Sequence, residues 1–305
     1  RRTMGKALVI IVGVFIVYGF TGQYWPGFLE HPGLTFKNFT NLIYLTTDGI
    51  FGAALYASAV YIVLFVALGA FLEVSGVGDY ITGIATAAFG KYRGGPAKVA
   101  VIASGLFGSI SGSAVANVIG TGTFTIPLMK KCGYDPETAA AVEASASTGG
   151  QFTPPVMGAT AFLIAERLAI PYFELVKAAA IPAILYYASL LFSVDVYAQR
   201  NGLVGLSKEE IPKIRPMLKQ IYLLSPLVVL VLLLSVAGTT VTRAGLFTIL
   251  FSLVVVMLDR KHRLTLKKFI DACVSAAKSA VPVAVACAMA GIISGVVMGT
   301  GVGFR

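Results

Sequence analysis

Long apolar runs separated by short polar, mostly basic loops make up most of the chain. Roughly 20 apolar residues cross a bilayer as a helix. By that measure Lys6–Phe20, Ile50–Leu72, Phe173–Tyr197, Ile221–Ala237, Ala244–Leu258 and Ala276–Thr300 read as spans, and Ile81–Phe89 as a shorter apolar helix. Two other segments are apolar at both ends and interrupted in the middle. Val99–Leu128 is broken by Gly108-Ser109-Ile110-Ser111-Gly112-Ser113, and Thr138–Glu166 by Gly149-Gly150-Gln151-Phe152-Thr153-Pro154-Pro155. Hydrocarbon tolerates non-helical backbone only where protein buries it or it lines a cavity. Two such breaks close in sequence mark a site.

The segments between the runs are polar or amphipathic. Thr21–Asp48 is rich in aromatics and proline, and its part Leu34–Leu45 reads either as an interfacial amphipathic helix or as an external loop. Asp135 followed by Pro136 predicts an N-cap and first helical turn for the second broken segment. Leu203–Lys219 is a polar linker, and Leu264–Ser275 an amphipathic arm.

Composition agrees with the pattern: 57% of residues are hydrophobic, 12% are charged, and the mean hydropathy is +0.83. This is a polytopic membrane protein. A net charge of +10 raises nucleic-acid binding, but the basic residues sit in short loops between spans, so no nucleic-acid partner is expected. Three cysteines in or beside apolar helices imply no disulfide framework. The histidines, His31 and His262, read as isolated loop residues. No small-residue cleavage site follows Tyr18-Gly19-Phe20, so the first run is not read as a cleavable leader. The missing initiator Met suggests a fragment.

Charge also orients the spans. If Val99–Leu128 enters and returns as a hairpin, all but six of the 24 Lys and Arg (Lys37, Arg167, Lys177, Arg243, Lys278 and Arg305) fall on one side. Such asymmetry is the positive-inside signature, and it predicts a re-entrant hairpin opening to the cytoplasm. Ile50–Leu72 and Ala276–Thr300 then run in opposite directions, and each ends in Gly-Val-Gly, at Gly76-Val77-Gly78 and Gly301-Val302-Gly303. That predicts the start of an inverted repeat, a common transporter plan. The expected organisation is a scaffold helix and interfacial arm (1–48), then a first transport repeat (49–198) with hairpin 99–128 and broken helix 138–166. A cytoplasmic linker (199–219), scaffold helices with an amphipathic arm (220–275) and the start of the second repeat (276–305) follow.

Ser109, Ser111, Ser113, Asn117, Thr121 and Thr123 supply oxygens at the hairpin, and unwound backbone adds carbonyls. Discontinuous helices offer such oxygens to hard cations like Na⁺, and their N-termini suit a carboxylate. Small residues also serve close helix packing, which accounts for single serines but not for Gly-Gly and Pro-Pro flanking one loop. Glu143 is either an intramembrane proton carrier or a residue near the cytoplasmic interface, and the interface is favoured. No His–acid pair, Cys/His cluster or phosphate loop is present, so an enzyme is not expected. An ion channel with a re-entrant filter is the other alternative.

Gly108–Pro127, Gly133-Tyr134-Asp135-Pro136, Ala139–Ala144 and Gly149–Pro155 resemble the large membrane (M) subunit of TRAP, tripartite ATP-independent periplasmic, transporters. Phe51-Gly52, Arg93–Lys98 and Ser145–Gln151 resemble most the fused branch that pairs with TAXI-type binding proteins. The resemblance implies an all-α, elevator-type secondary transporter of a bacterial or archaeal inner membrane. It would import an organic anion delivered by a periplasmic TAXI-type binding protein, together with a Q-type small subunit or fused Q-like helices. By matching position it implies a Na⁺ site at Ser111, Gly150, Thr153 and Pro155, with Gly112, Ser113, Asn117 and Thr121 beside substrate. Val156 stands where many relatives carry a serine, and the second hairpin is expected outside this chain.

Overall fold

The computed structural model describes residues 5–235, 239–258 and 265–304, and all regular structure among them is helical. Arg1, Arg2, the residues Ala237 and Gly238, the loop Arg260-Lys261-His262-Arg263 and Arg305 lie outside the described residues. In chain order the helices are α1 (Gly5–Thr21), α2 (Phe36–Thr40), α3 (Ala53–Ala57), α4 (Val63–Val74), α5 (Val77–Phe89), α6 (Gly95–Ser111) and α7 (Ala114–Lys131). They continue as α8 (Pro136–Gly149), α9 (Ala159–Leu168), α10 (Tyr172–Arg200), α11 (Ile214–Leu218), α12 (Ser225–Ser235), α13 (Val241–Leu258) and α14 (Leu266–Thr300).

Among the described residues, four helical stretches are long and apolar enough to cross a membrane: Gly5–Tyr24, Ala53–Val74, Tyr172–Arg200 and Leu266–Thr300. Ile221–Ser235 and Val241–Met257 are shorter apolar helices. The second stretch contains a π-helical turn, Ser58–Ile62, and Leu34–Leu45 resolves into α2 followed by a π-helical turn, Asn41–Leu45. The amphipathic arm Leu264–Ser275 and the span Ala276–Thr300 are not separate, because α14 runs from Leu266 through Thr300 without interruption. Nothing near residues 275 and 276 breaks a helix, and Pro282 is accommodated within it at the loss of one backbone donor.

The chain forms two compact units. One comprises Arg1–Val63, Phe162–Ala169 and Ala277–Arg305. Its core gathers Tyr18, Ile43 and Val296. His31, read from sequence as a plain loop residue, is buried here at 4% exposure. Its Nδ1 accepts the Gly33 N–H at 3.1 Å, which leaves Nε2–H to donate to the Tyr18 carbonyl at 3.2 Å. Both ring nitrogens thus hold the loop after α1, so His31 is a structural clasp.

The other unit, Leu64–Ala161 and Ile170–Ala276, carries both breaks. Helices α6, α7 and α8 pack against one another, with α5 and α10 against α6. Ala97, Ala100, Ala139 and Ala146 line their contacts around Val101, Met129 and Tyr134. Small side chains let helix backbones approach closely. At one end Asp195 of α10 pairs with Arg93 at 2.6 Å and Lys98 at 2.5 Å, tying α10 to the start of α6.

Candidate functional site at the two helix breaks

The first break is tighter than its composition suggests. Helix α6 continues through Gly108 to Ser111, and the chain reverses at Gly112 and Ser113 alone. Gly112 takes φ +60, in the left-handed region that a side chain disfavours. Ser113 caps α7, its Oγ accepting the Ala116 N–H at 3.3 Å. Contacts of Phe107 with Gly120 and of Ser104 with Asn117 and Thr121 show α6 and α7 lying antiparallel as a hairpin.

The second break is wider. Helix α8, capped by Asp135 through the Thr138 N–H at 2.9 Å, ends at Gly149. A 3-10 turn, Gly150–Phe152, follows, then non-helical backbone from Thr153 through Gly158, with a cis bond between Pro154 and Pro155. Two prolines lack the N–H that would continue the helix. The Tyr172 hydroxyl lies 3.0 Å from the Pro155 carbonyl and 2.5 Å from that of Val156, and holds the segment in place.

The two breaks meet. A methyl group on Gly108 would lie 2.5 Å from the Gly150 Cα, and one on Gly150 would lie 2.6 Å from the Gly108 Cα. One on Gly112 would fall 1.9 Å from the Met157 carbonyl oxygen. The Val156 N–H donates to the Ser109 carbonyl at 3.1 Å, joining the non-helical backbone of one break to the helix end of the other. Glycine at 108, 112 and 150 is therefore a requirement of contact between main chains.

Both breaks carry hydroxyl and carbonyl oxygens. Ser111 Oγ makes only 3.5 Å contacts within its own turn. The Gly150 carbonyl receives the Thr153 N–H at 3.4 Å, and Thr153 Oγ1 donates to the Gly149 carbonyl at 2.7 Å. Ser111, Gly112, Ser113, Thr153 and Pro155 are half-buried, whereas Gly150 is buried.

Asn117 lies behind this junction, its Nδ2 against the Gly108–Gly150 contact, and Thr121 lies one turn further along α7. Both are fully buried and turned into the space between α6, α7 and α8. There they join Glu143, which sequence reasoning favoured as an interface residue. Glu143 is 0% exposed within the protein, while Glu137, six residues earlier, is exposed. Glu143 Oε1 accepts from Ser104 at 2.8 Å, Thr121 at 2.6 Å and Ser147 at 3.1 Å, and Oε2 accepts from Thr125 at 2.5 Å. Ser104, Thr125 and Ser147 were missed from sequence. A signal existed, because Asn117, Thr121 and Thr125 recur every four residues on one helix face, as do Glu143 and Ser147.

The whole chain, residues 1–305, matches the family model described as tripartite ATP-independent periplasmic transporter, DctM component. It is 29% identical over 204 residues to the uncharacterized protein y4mL of Sinorhizobium fredii, covering 66% of this chain and 48% of that one. Against the C4-dicarboxylate TRAP transporter large permease protein DctM of Vibrio cholerae it is 30% identical over 139 residues, 46% of this chain and 30% of the relative. The sialic acid TRAP transporter permease protein SiaT of Haemophilus influenzae is 25% identical over 214 residues, 70% of this chain and 34% of the relative. The matched regions thus span half or less of these relatives' lengths. An all-helical, multi-pass architecture and a whole-length family match, in a family of permeases and not of enzymes, place the chain in the DctM component family of TRAP transporters.

Proposed function

We propose that this chain forms part of a Na⁺-coupled permease of a bacterial or archaeal inner membrane. It moves an organic carboxylate received from a periplasmic binding protein of the TAXI type, alongside a Q-type subunit or fused Q-like helices. The motion is an elevator movement of the unit carrying the hairpin, which is re-entrant and opens to the cytoplasm. In this reading Na⁺ travels as cargo, held by Ser111 Oγ, Thr153 Oγ1 and the carbonyls of Gly150 and Pro155. The carboxylate sits beside Gly112 and Ser113, against the N-terminus of α7. Asn117 and Thr121 act behind that surface, through hydrogen bonds.

The observation that carries this reading is the junction itself. Glycine contacts press two broken helices together, and the residues of these two breaks carry neutral hydroxyl and carbonyl oxygens without a Lys or Arg among them. A hard monovalent cation is served by such oxygens, and a charged side chain there would be costly. The DctM and SiaT relatives carry C4-dicarboxylate and sialic acid in their names, and both ligands are carboxylates.

Uptake of labelled carboxylates into proteoliposomes, with the intact permease and its binding protein, tests the reading. Ser111→Ala and Thr153→Ala are expected to raise the Na⁺ concentration for half-maximal uptake roughly tenfold, the loss of one good ligand. Uptake indifferent to Na⁺ would reject the coupling, and unchanged Na⁺ affinity in both variants would reject the site.

A further inference from the structure

We infer that Glu143 is a proton-binding site, joined by hydrogen bonds to the junction of the two helix breaks. None of the ion pairs of the described residues involves Glu143. On the elements packed against α8, Lys98 of α6 is paired with Asp195, and Lys130 and Lys131 lie in the last turn of α7. The titratable residues of α10 are Tyr172, Glu174, Lys177, Tyr186, Tyr187, Asp195, Tyr197 and Arg200. Of these, Tyr187 and Tyr186 face α8, their hydroxyls donating to the Ala146 carbonyl at 2.9 Å and the Ser145 carbonyl at 2.7 Å. The turn Gly150–Phe152 carries none, and α8 itself adds only exposed Glu137. A sealed carboxylate without a cationic partner must be fully hydrogen-bonded or neutral.

The surrounding hydroxyls permit both conditions. With Glu143 ionised, Ser104, Thr121, Thr125 and Ser147 donate to it. With one proton added from the aqueous phase, the carboxylate becomes a neutral carboxylic acid and a donor. A proton on Oε2 points at Thr125 Oγ1, whose own hydrogen turns to the Thr121 carbonyl, 3.0 Å away. A proton on Oε1 points at Thr121 Oγ1, whose hydrogen turns to the Asn117 carbonyl at 2.9 Å or to Asn117 Oδ1 at 3.2 Å. Every donor finds an acceptor in each arrangement. The oxygens touch at hydrogen-bond distance, 2.5–3.1 Å, leaving no sphere among them for a metal ion. The ligand that fits is a proton.

Asn117 carries the connection outward. Its Nδ2 donates to the Ser104 carbonyl at 2.8 Å and the Ser147 carbonyl at 3.5 Å, which uses both of its hydrogens. Nδ2 also lies against the glycine contact, 2.9 Å from where a Gly108 methyl would stand and 3.3 Å from a Gly150 methyl. The direction of the Thr121 hydrogen is thus tied to the amide that backs the candidate ion site. This second half rests on the proposed function; proton binding by Glu143 does not.

Infrared difference spectra of the intact purified permease in nanodiscs, titrated between about pH 5 and pH 9, test the two halves separately. A carboxylic-acid C=O band that grows as pH falls and is lost in Glu143→Gln is the expected result. The absence of any band difference between wild type and Glu143→Gln overturns the proposal. Thr125→Val removes the hydroxyl hydrogen-bonded to Oε2, so the C=O band is expected to shift in frequency; an unmoved band also counts against it. Adding NaCl should change the band in wild type and not in Thr121→Val or Thr153→Ala. A band that titrates with pH but ignores Na⁺ in wild type overturns the relay and leaves the proton site standing.

Discussion

At residue scale, two contacts decide what the junction can be. Gly108 and Gly150 touch main chain to main chain, so Gly108→Ala or Gly150→Ala forces backbone apart. Either is expected to cost about 1–3 kcal/mol, the range for overpacking, seen as a lowered melting temperature of the purified permease. A melting temperature unchanged within error in both would mean the contact is not formed. The Glu143 shell behaves differently, because its members are exchanged for smaller or apolar atoms without a clash. Ser104→Ala leaves a buried acceptor short of a donor and is expected to destabilise by about 1–3 kcal/mol. His31→Leu strands the Tyr18 carbonyl and the Gly33 N–H, and the same measurement should show a comparable loss. Position 31 gave no such hint in sequence, since burial of a loop histidine depends on what folds over it.

At the scale of elements, helix ends were the most legible features. Asp135-Pro136 announced the start of α8, and the cap is formed as expected. Asp135→Asn should keep that cap and Asp135→Ala should lose it, a difference readable as amide exchange in the first turn of α8. The hairpin reversal was legible only as a region, because Gly108, Ser109 and Ile110 could as well have left the helix as stayed in it. What kept them helical is the packing of α6 against α8 and the turn Gly150–Phe152. The linker shows a contact that sequence leaves undetermined. Lys131, and after it the Ser207 hydroxyl and N–H, hold the Glu210 carboxyl below the usual carboxylate range. A depressed acid contributes above its unfolded pKa and loses that contribution as pH falls through its folded one. Proteolysis within the linker should therefore rise as pH drops below the ordinary carboxylate range, and Glu210→Gln should show the same rise already at pH 7, more weakly at high salt.

For the whole molecule, the testable claim is sidedness. If Val99–Leu128 is a hairpin that returns to its side of entry, cysteines placed at Lys91 and Lys130 will both react with a membrane-impermeant maleimide from the cytoplasmic face. Labelling of Lys91→Cys and Lys130→Cys from opposite faces would make the segment a crossing helix. Apolar run length and the lopsided placement of Lys and Arg determine, by themselves, that this is a polytopic helical membrane protein with two interrupted segments. Both are local properties, set by what hydrocarbon and the charge rule demand of any chain. The tertiary structure decided where the interruptions lie in relation to each other. It also turned Asn117 and Thr121 toward Glu143 and sealed that carboxylate among hydroxyls from three helices. Those outcomes depend on which faces of α6, α7 and α8 meet, and glycine and alanine permit many such meetings. Only the packed arrangement selects one.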